Sequence, residues 1–126
     1  NPLSCAAGLA TFKELINQNM LQNASEMGSR LMQGLQLTVD KAPWLKLRGR
    51  GLMVALEAVR TERDNTFEPY PQRASELLES CKQNGLLLGK GGAFGNVIRI
   101  TPMLNVTPDE IDEGISILNE AILSCN

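Results

Sequence analysis

The sequence predicts an α+β fold: a small antiparallel-type sheet of about three strands packed by four helices. Three observations predict it. Four stretches carry apolar residues at helical spacing, each with its own start or stop signal. Three short apolar runs rich in branched residues are bounded by Gly or Pro, as strands are. The order is helix, helix, strand, helix, strand, strand, helix, with no internal repeat. At 126 residues the chain is long enough for one core and is expected to form a single domain, 1–126.

The first helix is expected from Cys5 to about Gln18 with Ser4 as its cap; Leu9, Phe12, Leu15 and Ile16 make one apolar stripe. Asn17-Gln18-Asn19 interrupts it. A second helix begins near Met20 and runs to about Lys41, short of Pro43, along Leu21, Met27, Leu31, Met32, Leu35 and Val39. Gly28 and Gly34 inside it each cost roughly 0.5–1 kcal/mol of helix propensity, which implies close packing on a neighbour. Trp44 to Arg50 reads as a connector carrying Lys46, Arg48 and Arg50, a charged rim or a contact toward a domain or cofactor. Gly51 to Val59 is the best strand, apolar on both faces except for Glu57, which could pair with an arginine across the sheet. Arg60 to Tyr70 reads as the longest loop.

Pro71 to Asn84 is the third helix, with Ala74, Leu77, Leu78 and Cys81 inward and Gly85 as its stop. Leu86 to Leu88 and Val97 to Ile100 are the next two strands, joined by a loop holding Gly89, Gly91, Gly92 and Gly95. Thr107-Pro108-Asp109-Glu110 starts the last helix, with threonine capping, proline in the first turn and Glu110 closing a capping box. Ile111, Ile115, Leu118 and Ile122 form its buried stripe.

Composition excludes several functions. There is no histidine, which removes imidazole-based nucleophile systems and most transition-metal sites. Three distant cysteines make neither a disulfide framework nor a zinc pattern, and fit a reducing compartment. The net charge is −2 with no basic block, so nucleic acid and anionic membrane are not expected partners. No apolar run is long enough for a spanning helix, and Asn1-Pro2-Leu3-Ser4 lacks the form of a signal peptide. The glycine loop fails the spacing of both the phosphate-binding lysine loop and the dinucleotide fingerprint. Lys90 stands among glycines with nothing to desolvate it, so it reads as exposed.

Arg99 is the one residue whose position demands an account. Alternation along the strand points it away from Ile98 and Ile100, toward solvent, an acidic partner or a bound anion. Its planar fork suits a carboxylate.

At these residues the chain resembles the class III aminotransferases, pyridoxal-phosphate enzymes of fold type I. Asn1-Pro2-Leu3-Ser4-Cys5-Ala6-Ala7 resembles the family segment that follows a Gly-Gly pair. Asn23-Ala24-Ser25-Glu26-Met27-Gly28 is similar to its second small-domain helix. Arg48-Gly49-Arg50-Gly51-Leu52-Met53 resembles its Arg-Gly-Lys/Arg-Gly-Leu-Met strand start. Gly85-Leu86-Leu87 and Asn96-Val97-Ile98-Arg99-Ile100-Thr101-Pro102 match its closing strands. The Gly89-Lys90-Gly91-Gly92 loop and Gly95-Asn96 look most like the alanine–glyoxylate branch, with 4-aminobutyrate and ornithine-type enzymes behind it.

The resemblance covers essentially all 126 residues and implies the following. The chain is the C-terminal small domain of an aminotransferase that moves an amino group from an amino acid, alanine or an ω-amino acid, to a 2-oxo acid such as glyoxylate or pyruvate. Arg99 binds the substrate carboxylate, and Gly91, Gly92 and Asn96 form a substrate loop. The family's Schiff-base lysine, pyridine-pairing aspartate and phosphate loop belong to a large domain and have no counterpart here. This segment is therefore expected to hold no catalytic residue, to bind no cofactor alone and to be inactive in isolation. The implied parent is a homodimer in the cytoplasm, or in the mitochondrion if it carries a transit peptide. A stand-alone binding module, with Arg99 in a structural ion pair, is the alternative.

Overall fold

The computed structural model describes residues 1–61 and 67–125. In chain order the elements are α1 (Pro2–Asn17), α2 (Met20–Val39), β1 (Leu45–Arg50), β2 (Met53–Thr61), β3 (Phe67–Pro69), α3 (Pro71–Gln83), β4 (Gly89–Gly91), β5 (Val97–Ile100) and α4 (Pro108–Ser124). The α+β architecture is as expected, with four helices and, among the described residues, five strands rather than about three. Every strand pair is antiparallel. The sheet order is β1-β2-β5-β4, and β3 pairs with the far end of β2.

The two layers follow from alternation. Val54, Leu56 and Ala58 of β2 and Ile98 and Ile100 of β5 project to one side and are buried. On that side α2 and α3 lie against the strands, and α4 packs on both helices. Met27, Leu31, Leu35 and Val39 from α2, Ala74, Leu77 and Cys81 from α3, and Ile111, Leu118 and Ile122 from α4 close the core. Leu21 of the expected α2 stripe is exposed, and Leu78 and Ile115 are half-buried.

Several boundaries moved for physical reasons. Asn1, not Ser4, caps α1: its side-chain oxygen accepts from the Leu3 amide at 2.9 Å. Leu9, Phe12 and Ile16 of α1 stay exposed, Phe12 at 62 %, because α1 packs against α2 alone. The break after Asn17 is real, with Asn19 left-handed at φ 54°. β1 occupies the expected connector; Leu45 and Leu47 turn inward while Lys46, Arg48 and Arg50 turn outward. Gly51 and Leu52, read as strand, are instead a two-residue hairpin turn with Gly51 at φ 54°. β3 lies in the expected long loop, whose residues 62–66 fall outside the described residues. The strand expected at Leu86–Leu88 forms three residues later, in Gly89–Gly91, where backbone pairing with β5 needs no side chain.

Both helix glycines do meet close neighbours. A Cβ on Gly28 would stand 2.3 Å from the Gly51 carbonyl carbon, and one on Gly34 would meet the Ile115 side chain. The start of α4 is as expected: Glu110 donates its amide to the Thr107 hydroxyl, and its carboxylate accepts from the Thr107 amide at 2.8 Å. The Thr107 backbone and then side-chain bonds hold the Glu110 carboxyl below its ordinary value. Arg30 of α2 donates from Nε to Asp112 of α4 at 2.6 Å, which lowers the Asp112 carboxyl in the same way.

A carboxyl depressed by folding adds stability above its unfolded pKa and loses it as pH falls through the folded value. The thermal midpoint is therefore expected to hold from neutrality to about pH 5 and to fall through and below the ordinary carboxylate range. Asp112→Asn should flatten part of that fall in melts recorded from pH 7 to pH 2.5. An unchanged profile would remove Asp112 from the account.

Candidate functional site

The sheet face opposite the helices carries the chemistry. β1 contributes Lys46, Arg48 and Arg50 to it, β2 contributes Met53, Ala55 and Glu57, and β5 contributes Val97 and Arg99. The register sets Arg48, Ala55, Arg99 and Gly89 in one row across four strands. Ala55 keeps the centre of that row low. Arg48 and Arg99 rise on either side.

Arg99 leans toward β4. Cβ atoms on Gly89 and Gly91 would stand 3.5 Å from its Nη2 and 3.3 Å from its Nε, so these two glycines provide the flat seat on which the guanidinium rests. Larger side chains there would lift the fork off the strand. Arg99 makes no ion pair among the described residues, so the structural-pair alternative finds no partner here. Arg48 is engaged, its Nε 3.2 Å from Glu57. That is the cross-sheet pairing expected for Glu57, made on the diagonal, while Lys46, directly opposite Glu57, instead sits 3.1 Å from the centre of the Phe67 ring.

Between Arg99 and β1 lies an open groove of about 390 Å³. Arg48, Arg50 and Arg99 supply its charge, and Ala55, Met53 and Val97 supply its apolar floor. No carboxylate and no lysine line it. An apolar floor between guanidinium groups can hold a small anion and orient it, while the one hydroxyl in the lining, that of Thr101, has no carboxylate or imidazole in the lining to activate it.

The remaining expected residues divide. Gly92 lines the groove at φ 83°, a conformation suited to glycine; a Cβ there would also strike Val97 at 2.7 Å. Gly91 touches Arg99. Asn96 is elsewhere. It is 3 % exposed, and its amide donates to the Ala58 carbonyl at 3.0 Å while the Ala58 amide donates back to the Asn96 carbonyl. Its part is to fix the start of β5 against β2. Asn96→Ala is expected to destabilise by about 1 kcal/mol, the net value of one neutral hydrogen bond, because the Ala58 carbonyl keeps the Tyr70 amide as a donor. Carboxylate affinity should stay at the wild-type value in the same preparation; a large loss of affinity would place Asn96 in the binding machinery after all.

Reactive groups elsewhere have ordinary roles. Lys90 is exposed and turned to the helix side, where Nζ bonds the Ser75 hydroxyl at 2.7 Å. Burial, and to a lesser degree nearby Cys125, pushes the Cys81 thiol up to about 11, so it stays protonated at neutral pH. The cysteines Cys5, Cys81 and Cys125 are all free. Among the described residues no group of side chains is arranged to hold a metal ion, and no helix is long and apolar enough to cross a membrane. Sequence reasoning singled out Lys46, Arg48 and Arg50 but read their stretch as a connector, although the alternation of Leu45, Lys46, Leu47 and Arg48 is itself a strand signal.

Comparisons with known proteins bear on the family and the fold. The family model described as aminotransferase class-III matches residues 1–122. The chain is 31 % identical over 124 residues to the mitochondrial alanine–glyoxylate aminotransferase 2 of Pongo abelii, covering 97 % of this chain and 24 % of that protein. It is 31 % identical over 123 residues to the 4-aminobutyrate aminotransferase of Mycobacterium leprae, covering 97 % of this chain and 27 % of that one. Among solved structures, an amine transaminase from an uncultivated Pseudomonas species, in its PLP-bound form, superposes with a TM-score of 0.84 at 29 % identity over 99 % of this chain and 28 % of that chain. The chain thus spans about a quarter of the length of these relatives. From the match over nearly its full length, joined to the shared fold, the chain belongs to the class-III aminotransferases.

Proposed function

We propose that this chain is the C-terminal small domain of a pyridoxal-phosphate-dependent aminotransferase that moves an amino group from an amino acid, alanine or an ω-amino acid, to a 2-oxo acid, glyoxylate and pyruvate being the simplest. One observation carries the reading: Arg99, seated on Gly89 and Gly91 in a groove whose lining holds no carboxylate, makes no ion pair among the described residues. A substrate carboxylate fills that need. Arg99 donates two N–H bonds to it and fixes the distance from carboxylate to reacting amine, with Gly92 giving the substrate close access to the backbone.

The cofactor's own contacts do not fit these residues. Its aldehyde requires a lysine amine, and the groove presents arginines only, with Lys90 turned to the opposite side of the sheet. We assign cofactor holding, and with it the chemistry on the cofactor, to a large domain packed against the open sheet face. The isolated domain is then inactive, and its exposed α1 stripe, with Leu9, Phe12 and Ile16, is surface that the large domain or a second subunit of a homodimer covers. The three free thiols accord with a cytoplasmic or mitochondrial setting.

The test uses the intact polypeptide that carries this domain, purified with pyridoxal phosphate. Its visible absorbance is recorded as alanine, 4-aminobutyrate and ornithine are added in turn, followed by a 2-oxo acid. One donor should remove the cofactor band and the 2-oxo acid should restore it, with the new amino acid found by chromatography. A band that no donor changes would sink the aminotransferase reading.

A further inference from the structure

In Gly89-Lys90-Gly91 only one residue carries a side chain, and the register sends it away from the groove. Gly89 and Gly91 share the face of Arg99 and form its seat. Lys90, between them, faces the helix side. There its Nζ donates to the Ser75 hydroxyl of α3 at 2.7 Å, and that hydroxyl donates its own proton to the Pro71 carbonyl at 2.9 Å. The Lys90 stem also runs beside the turn that follows: a Cβ on Gly95 would lie 3.4 Å from its Cε.

Little else holds β4. It is three residues long at the edge of the sheet and, among the described residues, pairs with β5 alone. Its glycines bring no packing and lose much chain entropy on ordering. Leu88 is half-buried before it, but Ala93 and Phe94 after it are exposed, and the next fixed point is Asn96. Such a segment stands at the low end of local stability. When it opens, the platform under the Arg99 fork goes with it. We propose that Lys90 is a positioning residue: by bonding Ser75 it ties β4 to α3 and keeps Arg99 aimed across the groove. This rests on the reading of Arg99 as the carboxylate-binding residue and adds the group that secures its platform.

The intact protein is compared as wild type, Lys90→Met, Ser75→Ala, the double variant and Lys90→Arg, with melting curves confirming that each is folded. Hydrogen exchange read by mass spectrometry reports on β4. Titration calorimetry with butyrate, a carboxylate without an amine, reports on Arg99 without turnover. Lys90→Met keeps the stem and removes the bond; it should speed exchange across β4 and weaken butyrate roughly threefold, the size of one exposed charge-assisted contact. Ser75→Ala should do the same, the double variant no more than either alone, and Lys90→Arg should stay near wild type. In transfer assays KM for a carboxylate-bearing donor should rise by a similar factor with kcat kept, while an amine donor without a carboxylate should not respond. Unchanged exchange, faster exchange with unchanged butyrate affinity, losses that add in the double variant, or a wild type that binds no butyrate would each overturn the proposal. Amino transfer whose KM ignores Lys90→Met removes the positioning role alone. Butyrate weakened by Lys90→Met in a protein that transfers no amino group keeps the positioning role and removes the aminotransferase.

Discussion

Arg99→Ala is expected to lower kcat/KM for a carboxylate-bearing amino donor by about 10- to 100-fold in the intact enzyme, and to leave an amine donor without a carboxylate almost untouched. The size follows from the contact. Hydrogen bonds to a charged partner contribute roughly 1.5–3 kcal/mol, which converts to about tenfold or somewhat more than a hundredfold. Within this domain Arg99 is exposed, so solvent screening favours the lower figure; a large domain closing over the groove would exclude water and move the loss upward. Arg99→Lys should fall between, because it keeps the charge and loses the two-toothed geometry. Stability should hardly change, since Arg99 lies on the open face and the core side of β5 is filled by Ile98 and Ile100. Kinetics with paired donors, one with and one without the carboxylate, decide the matter. An equal loss on both would mean that Arg99 supports the site rather than binding substrate.

The largest expected effect on stability is at Gly28. A Cβ there would lie 2.3 Å from both the carbon and the oxygen of the Gly51 carbonyl, closer than any real contact, and the obstacle is backbone. Alanine gains about 1 kcal/mol of helix propensity. Overpacking of this kind typically costs 1–3 kcal/mol and occasionally more, and a rigid obstacle selects the upper part of that range. We expect a net loss of about 2 kcal/mol in Gly28→Ala, read as a lower urea midpoint with an unchanged slope. Gly34→Ala is the control. Its nearest neighbour is the tip of Ile115, which can change rotamer, so the loss should be smaller. If both variants melt with wild type, α2 does not sit as close to the hairpin as the structure has it. Because Gly51 precedes Met53 and follows Arg50, a displaced hairpin would also shift the rim of the anion groove.

Local chemistry was readable where it was self-contained. The start of α4 needs only Thr107, Pro108 and Glu110, three neighbours whose bonds close among themselves. The outward aim of Arg99 needs only the alternation of one strand. What escaped depends on distant partners. β4 is built from Gly89, Lys90 and Gly91, residues with poor strand propensity, and exists because β5 pairs with it. β1 looked like a charged connector because its three cations dominate the composition, while its two inward leucines show their purpose only when α2 covers them. Asn96 sat in a promising loop, and only its bond to Ala58, 38 positions earlier in the chain, reveals that it faces the interior. Of the groove, Arg99, Gly91 and Gly92 were visible in advance; Arg50 became interesting once the register set it beside them.

The peripheral seat of α1 divides the domain into two thermodynamic tiers. A helix of 16 residues is marginal in water by itself, and α1 has one neighbour, α2, with no residue of its own buried. Peeling it away therefore needs only a fraction of the free energy required to open the sheet and its three covering helices. Docking a surface onto its apolar side would complete the cooperative unit, so the same contact that assembles a larger enzyme would also decide whether this segment holds its shape.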